Sequence, residues 1–289
     1  MDRTRIVTLL GTLLLSVVCG AAIEGSGTQL ASAEMAIAVY GGYMIVARGS
    51  VNNADNLRFL LDTGASNTAI DRRVAERLGL HGQSAEVVSF DKTVQLEWTE
   101  AQEMTIGPER VSNVRVMIED LGYLRSSGVH VDGVIGLDQL RRQSFLVDYA
   151  RERVVFGPTA AGGMRGVPMR VDGNSVQVAV ELDARPVWMV ADSGARGIVL
   201  YEDTAKDLLA NYHVEGRAGG VSLGGPLENR MAIMPRLRLG GQDLDREVVL
   251  ISAPGAKRLS GVSGYLGLAS LNAKQVAFDF ETNQLLWRK

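Results

Sequence analysis

The chain carries one motif twice: an apolar strand that runs into an aspartate, a hydroxyl residue and a glycine. The first copy, Phe59–Ser66, reads Phe-Leu-Leu-Asp-Thr-Gly-Ala-Ser, and the second, Trp188–Ala195, reads Trp-Met-Val-Ala-Asp-Ser-Gly-Ala. Glycine permits turns that are too tight for other residues, so each aspartate is expected on a sharp turn at the end of a buried strand. The motif therefore predicts two carboxylates, Asp62 and Asp192, on loops that can meet.

Further landmarks recur at nearly the same spacing as the two aspartates. Asp132–Leu137, which reads Asp-Gly-Val-Ile-Gly-Leu, corresponds to Ser263–Leu268, which reads Ser-Gly-Tyr-Leu-Gly-Leu. Val147–Phe156 corresponds in the same way to Phe278–Trp287. Because matched landmarks in the same order indicate a tandem duplication, we expect two copies of one folding unit.

An Asp-Thr/Ser-Gly loop followed further on by two apolar residues and a glycine resembles the signature of the aspartic proteases. The alanine after each motif glycine is more similar to retropepsins than to pepsins. The chain thus resembles a fused pair of bacterial retropepsin-like lobes, over about residues 36–289. The resemblance implies an all-β fold with two pseudo-symmetric acid-protease β-barrel lobes, short helices and one active site between the lobes.

The pattern between these landmarks is also typical of an all-β protein. Many short alternating segments are separated by Gly and Asn turns, which favours barrel-like lobes. A short helix is predicted after each aspartate loop, at Asp71–Gly79 and Glu202–Ala210, and Val87–Val94 is predicted to turn as a hairpin. Small residues and turn formers after Phe156 place a linker between the copies. The predicted segments are a signal peptide (1–22), a lead-in segment (23–35), an N-terminal lobe (36–158), a linker (159–166) and a C-terminal lobe (167–289).

By resemblance, Asp62 and Asp192 are the catalytic pair. Two adjacent carboxyl groups repel each other when both are ionised, so such a pair shares one proton at working pH. One member then takes a proton from a water while the other donates a proton to the carbonyl oxygen of the substrate. The resemblance gives the supporting residues of the loops the following roles. The hydroxyls of Thr63 and Ser193 are expected to link the two loops by hydrogen bonds to the opposite backbone. Glycines are expected to let the backbone segments come close together, and these are Gly64, Gly194, Gly136 and Gly267.

Two positions depart from the family pattern. Arg196 stands where the first copy has Ser66. A cation at this position can lower the pKa of the aspartate pair, contact the substrate or point to solvent. The first-lobe hairpin lacks the glycine-rich flap tip common in retropepsins, and its Phe90 either covers the substrate or packs on its own lobe.

Composition excludes several other classes of function. The formal net charge is −3 and no basic block occurs, so nucleic acid is not an expected partner. The three histidines show no metal-ligand spacing, and the single cysteine, Cys19, falls in the predicted signal peptide. We therefore expect neither a metal site nor a cofactor. The expected partner is a peptide or protein substrate.

The first residues predict export. A weakly positive start precedes the mostly apolar stretch Ile6–Val18, and small residues follow at Gly20–Ala22, as in secretory signal peptides. This stretch is shorter than the about 20 residues needed to cross a bilayer. The protein is therefore expected in the periplasm or outside the cell. Membrane association through an uncleaved N-terminal segment is the alternative.

The sequence leaves three other readings of the function open. The protein could keep the protease fold and bind peptides without cutting them. It could serve as a structural or envelope-associated module. It could also form a retropepsin-like homodimer that uses Asp62 of two chains. Because both motifs are intact, a monomer with an intramolecular pair is the expected arrangement.

Overall fold

A computed structural model describes residues 33–88, 93–159, 162–208, 214–222, 225–233, 236–244, 248–252 and 259–289. Strands dominate these ranges, and their helices are short. No helix in the described ranges is both long enough and apolar enough to cross a bilayer. The predicted signal peptide, residues 1–22, lies outside the described residues.

The first half of the chain contributes ten strands and three short helices to the described structure. Its strands are β1 (Ala33–Tyr40), β2 (Met44–Val51), β3 (Ala54–Leu61), β4 (Ala69–Asp71), β5 (Gln83–Val88), β6 (Thr93–Ile106), β7 (Glu109–Glu119), β8 (Gly133–Ile135), β9 (Phe145–Asp148) and β10 (Arg153–Phe156). Its helices are α1 (Arg72–Arg77), α2 (Gly122–Ser126) and α3 (Leu137–Leu140).

The second half contributes twelve strands, one α-helix and one 3₁₀ turn to the described structure. Its strands are β11 (Arg165–Asp172), β12 (Ser175–Leu182), β13 (Arg185–Asp192), β14 (Ile198–Leu200), β15 (Val214–Ser222), β16 (Gly225–Ile233), β17 (Leu237–Leu239), β18 (Gln242–Asp243), β19 (Val248–Ile251), β20 (Gly264–Gly267), β21 (Gln275–Asp279) and β22 (Gln284–Arg288). The helix is α4 (Glu202–Leu208), and the 3₁₀ turn is Leu268–Leu271.

The strand pairing of one half repeats that of the other. In the first half β8 runs parallel to β3 and antiparallel to β4, while β4 runs parallel to β7. In the second half β20 runs parallel to β13 and antiparallel to β14, while β14 runs parallel to β19. The predicted all-β fold of two pseudo-symmetric lobes is therefore confirmed.

One sheet contains strands from both lobes and connects them. Its order is β1-β10-β9-β21-β22-β11, with antiparallel pairing throughout. At its centre Phe145 of β9 stands opposite Phe278 of β21, and their rings stack with centroids 5.0 Å apart. Both rings are fully buried. The lobes are thus held together by backbone hydrogen bonds as well as by apolar contact.

A buried ion pair fixes the segment that follows the first lobe's β7. The side chain of Asp71, which is fully buried, caps α1 by accepting from the backbone N–H of Arg73 at 3.0 Å. It also accepts from the Arg73 side chain at 2.8 Å, from Arg125 of α2 at 2.5 Å and from the backbone N–H of Leu121 at 3.2 Å. Burial alone would raise the pKa of Asp71, but the hydrogen bonds from Arg73 and Arg125 outweigh it and hold the pKa below its usual range.

We expect Asp71→Asn to lower the free energy of unfolding at pH 7 by about 2 kcal/mol, because it removes a buried charge and leaves Arg125 with its weaker partner Asp120. A depressed carboxyl pKa stabilises the fold above the pKa of the unfolded state, about 3.9, and this contribution is lost as the pH falls through the folded pKa. Urea unfolding of parent and variant at pH 7 and near pH 3 measures both effects.

The matched control is Asp120→Asn, because Asp120 also pairs with Arg125 but its side chain is 73% exposed. We expect this control to change stability by less than about 0.5 kcal/mol. A stability difference between parent and Asp71→Asn that is equally large near pH 3 and at pH 7 would contradict the ionic role of Asp71.

Candidate active site

The first aspartate loop grows out of a strand that is buried at its end. Phe59, Leu60 and Leu61 of β3 are at most 4% exposed, and the strand runs parallel to β8. The backbone N–H of Asp62 then donates to the carbonyl of Ile135 at 3.0 Å, which continues this pairing. Immediately after it, the N–H of Gly64 donates to Asp62 Oδ1 at 2.8 Å. The carboxylate is therefore held by the turn that its own residue begins.

The second loop is built in the same way on β13. The strand end is buried, and β13 runs parallel to β20 with Asp192 opposite Gly267. The N–H of Gly194 donates to Asp192 Oδ1 at 2.8 Å. Both aspartates are half-buried, and each is oriented by the glycine two residues later.

The two carboxyl groups, here called the dyad, lie side by side where the loops meet, and each affects the pKa of the other. Each lies against the glycine of the opposite loop. A Cβ atom on Gly64 would stand 2.4 Å from Asp192 Cγ, and one on Gly194 would stand 2.6 Å from Asp62 Cγ. No side chain fits in either gap, so the geometry of the dyad requires both glycines.

Thr63 and Ser193 link the loops through four reciprocal hydrogen bonds. Each residue's N–H donates to the hydroxyl of the other at 3.0 Å. The Thr63 hydroxyl donates to the carbonyl of Ala191 at 2.8 Å, and the Ser193 hydroxyl donates to the carbonyl of Leu61 at 3.0 Å. Both side chains are buried, so these bonds are shielded from competition with water. They fix the separation of the two lobes at the dyad.

Gly136 and Gly267 lie directly beneath the aspartate loops. A Cβ atom on Gly136 would stand 2.5 Å from the carbonyl carbon of Asn67, and one on Gly267 would stand 2.4 Å from the carbonyl oxygen of Gly197. The Gly267 N–H donates to that same oxygen at 3.0 Å. Gly267 ends β20 and Gly136 directly follows β8, so each glycine lets the backbone at the end of its strand pack directly against the neighbouring loop.

The surroundings of the dyad raise the pKa of both carboxyl groups. Burial is the largest cause for each, and for Asp192 the negative charge of Asp62 adds to it. The loop N–H groups oppose this effect because they stabilise the ionised form. Two carboxylates this close repel each other, so the raised pKa values favour a dyad that shares one proton.

Of the two positions that depart from the family pattern, the structure describes Arg196 but not Phe90. The Arg196 side chain is exposed on the second loop, four residues after Asp192, while Ser66 at the matching position of the first loop is half-buried. Phe90, the predicted flap residue, lies outside the described residues. The strands on either side of it, β5 and β6, pair as an antiparallel hairpin.

Three tyrosines that the sequence reading did not single out lie near the dyad: Tyr43, Tyr123 and Tyr265. Burial is the largest cause that raises the pKa of each phenol, and the charge of Asp62 adds to it in all three cases. The hydroxyl of Tyr123 donates to Glu119 at 2.8 Å, and Tyr265 is hydrogen-bonded to Tyr201. Tyrosines from both lobes therefore lie within electrostatic range of Asp62.

The aligned repeat contained a signal for one of these residues. Tyr265 occupies the first apolar position of the second Gly-apolar-apolar-Gly stretch, where the first copy has Val134. A polar group in an otherwise apolar signature marks a difference between the two sides of the site. Tyr43 and Tyr123 have no comparable signal, because their approach to the dyad depends on chain turns far from it in sequence.

The described residues contain no group of three or more His, Cys, Asp or Glu side chains placed to hold a metal ion. His81 and His130 are exposed, and His213 lies outside the described residues.

A family model described as aspartyl protease matches the chain in two regions, residues 47–139 and 167–269. The first region contains the Asp62 loop and Gly136, and the second contains the Asp192 loop and Gly267. No curated protein matches the chain.

Proposed function

Because this chain belongs to the aspartyl protease family, we propose that it is an endopeptidase that hydrolyses peptide bonds with a water held between Asp62 and Asp192. The observation that carries the proposal is the approach of the two carboxyl groups, each of which lies against the glycine of the opposite loop. This approach supports an acid and a base that act side by side where the two lobes meet. Hydrolysis of an amide needs both at once.

In the proposed reaction the ionised member of the dyad takes a proton from the water as the water oxygen attacks the carbonyl carbon. The protonated member gives its proton to the carbonyl oxygen, so no oxyanion is left uncompensated. The tetrahedral intermediate then collapses: one carboxyl group gives a proton to the amide nitrogen, the C–N bond breaks, and the other carboxyl group takes the proton of one hydroxyl as the C=O bond re-forms. The two products leave as an acid and an amine, and no bond to the enzyme forms.

The loop contacts support this mechanism because they hold the acid and the base in place before substrate arrives. The four bonds between Thr63 and Ser193 and the two donors at Gly64 and Gly194 leave the carboxylates little freedom. Pre-organisation of this kind lowers the barrier, since the groups need not reorganise during the reaction.

The joined sheet favours one dyad per chain over a dyad shared by two chains. β9 and β21, from opposite lobes, pair at its centre, and the Thr63–Ser193 contacts lie within one chain. A homodimer that uses Asp62 of two chains would have to break these pairings. We therefore propose an active monomer, exported after removal of residues 1–22 and acting on peptide or protein substrates.

The inhibition profile tests the reaction class. We expect a substrate-like peptide with a hydroxyl group at the scissile position to inhibit about 10²-fold more strongly than its deoxy counterpart, because the hydroxyl takes the place of the attacking water. Chelators and serine-directed reagents are expected to have no effect. The measurement is the cleavage rate of one fluorogenic peptide.

The deoxy peptide is the matched control for this experiment, because it fills the cleft equally but cannot replace the water. Loss of activity with a chelator would contradict the proposed chemistry. Peptide binding without any cleavage would leave a binding protein as the function, and absence of both would favour a structural module.

A further inference from the structure

The repeat allows the two ends of the cleft to be compared position by position. Residues 130 positions apart correspond in the two copies, so Ser66 corresponds to Arg196 and Tyr43 corresponds to Gly173. At one end the turn between β11 and β12 meets the first loop, where the Asn174 side-chain amide donates to Asn67 Oδ1 at 3.5 Å. The aligned positions at this end are neutral, namely Ser66, Asn67, Gly173 and Asn174, and the arginine that reaches this end, Arg141, already donates to the carbonyl of Gly173.

The opposite end, here called the cationic end, is formed by Arg196 and Tyr43. Tyr43 lies in the turn between β1 and β2, the counterpart of the turn that holds Asn174. The positive charge of Arg196 lowers the pKa of the Tyr43 phenol, while burial, the larger cause, and the charges of Asp192 and Asp62 raise it. The strands β1 and β2 pair like β11 and β12, so the repeat brings the turn of Tyr43 to the second loop as it brings the turn of Asn174 to the first, and Tyr43 lies at the same end as Arg196.

The backbone of Arg196 is fixed while its side chain is free to bind. Its carbonyl accepts from the Ser270 hydroxyl at 3.4 Å, and its loop packs against Gly267. The side chain is exposed, and within the ranges that the structure describes Arg196 forms no ion pair. The carboxyl group nearest to it in sequence is that of Asp192, four residues earlier, which is held by the N–H of Gly194.

An exposed guanidinium on a rigid loop is suited to a carboxylate, because its planar N–H groups match both carboxylate oxygens. A half-buried phenol beside it can donate a further hydrogen bond. We propose that the cationic end binds a carboxylate of the substrate, so that the enzyme prefers peptides with an acidic group on one side of the scissile bond. This proposal rests on the proposed function, in that it takes the cleft to bind peptides.

The experiment compares matched peptides in which each position around one scissile bond carries Glu or Gln in turn. For the parent we expect kcat/KM to be about 10- to 100-fold higher with Glu at one position. Arg196→Ser, which copies Ser66, is expected to abolish this preference, and Arg196→Glu to reverse it in favour of Lys. Tyr43→Phe is expected to reduce it about two- to tenfold. Comparison of kcat/KM for the same peptide with a free and with an amidated C-terminus shows whether the bound carboxylate belongs to a side chain or to the end of the peptide.

The control variant is Arg185→Ser, because Arg185 is an exposed arginine at the far end of the same strand as Asp192. It is expected to keep the full Glu preference. Equal losses for Glu and Gln peptides in Arg196→Ser, with a pH profile moved to higher pH, would overturn the proposal and assign Arg196 to the pKa of the dyad. No preference for a carboxylate in the parent would also overturn it.

If the parent cleaves none of the peptides, the proposed function fails, but this inference is still tested by binding. Fluorescence anisotropy with the same labelled Glu and Gln peptides then gives the affinities directly. Tighter binding of the Glu peptide that is lost in Arg196→Ser supports the cationic end as a carboxylate site. Equal affinities contradict it.

Discussion

Asp62→Asn and Asp192→Asn are each expected to lower kcat/KM by about 10³- to 10⁴-fold, because an amide can neither take a proton from water nor return one. The two residues act as a unit, so the double variant should be hardly slower than either single one. The free energy of unfolding at pH 7 should not fall, since each change removes one of two carboxyl groups whose pKa is raised by burial. Steady-state kinetics and urea unfolding measure the two effects.

Asp55→Asn is the matched control, because Asp55 is exposed on the same strand that leads to Asp62. Its activity should equal that of the parent. If Asp192→Asn keeps its activity while Asp62→Asn loses it, the intramolecular dyad is wrong. A homodimer that uses Asp62 of two chains would then explain the data.

Gly64→Ala and Gly194→Ala are expected to lower kcat/KM by about 10²-fold or more, although neither variant replaces a catalytic group. The added methyl group would stand 2.4–2.6 Å from the Cγ atom of the opposite aspartate, which is closer than real Cβ contacts. The carboxylate must therefore move, and a displacement of about 1 Å at a reacting group costs about 10²-fold in rate. Forcing a methyl group into this contact should also cost about 1–3 kcal/mol of stability.

Gly162→Ala is the control for the glycine variants, because a Cβ atom at Gly162 would have no neighbour within 4 Å. Its activity is expected to be unchanged. The comparison needs kcat and KM separately, since a displaced dyad lowers kcat more than it weakens binding. If either loop variant keeps its activity within about threefold of that of the parent, the activity does not depend on the close contact between each loop glycine and the opposite aspartate.

The all-β fold and the meeting of the two loops were accessible from the sequence because both depend on local signals. Apolar strand ends, Asp-Thr/Ser-Gly turns and Gly136 or Gly267 recur in each copy, so the repeat itself indicated where the copies pair. Short-range signals also marked α1, which Asp71 caps as predicted. For the second helix the prediction extended to Ala210, and α4 is described from Glu202 to Leu208.

The rest of the site depends on contacts between distant residues, which no local pattern reveals. The sequence predicts Asp71 only as a helix cap. In the structure Asp71 also binds Arg125, which lies 54 positions later. The matching position of the second lobe is Tyr201, and its partner there is Tyr265. Equivalent positions of the two copies thus form different kinds of contact, an ion pair in the first lobe and a pair of tyrosines in the second. An alignment of the copies shows that difference but not what each residue contacts.

The sheet that joins the lobes has a consequence for the order in which the protein can fold during synthesis. Asp148 of β9 leaves the ribosome 127 positions ahead of Gln275, its partner in β21. Throughout that interval one edge of β9 has no neighbour, and its apolar residues Phe145 and Val147 lie uncovered. An uncovered edge of this kind pairs readily with a like edge of another molecule. A chain stopped after its first lobe would therefore tend to associate with its own copies, and completion of the second lobe is what closes that edge.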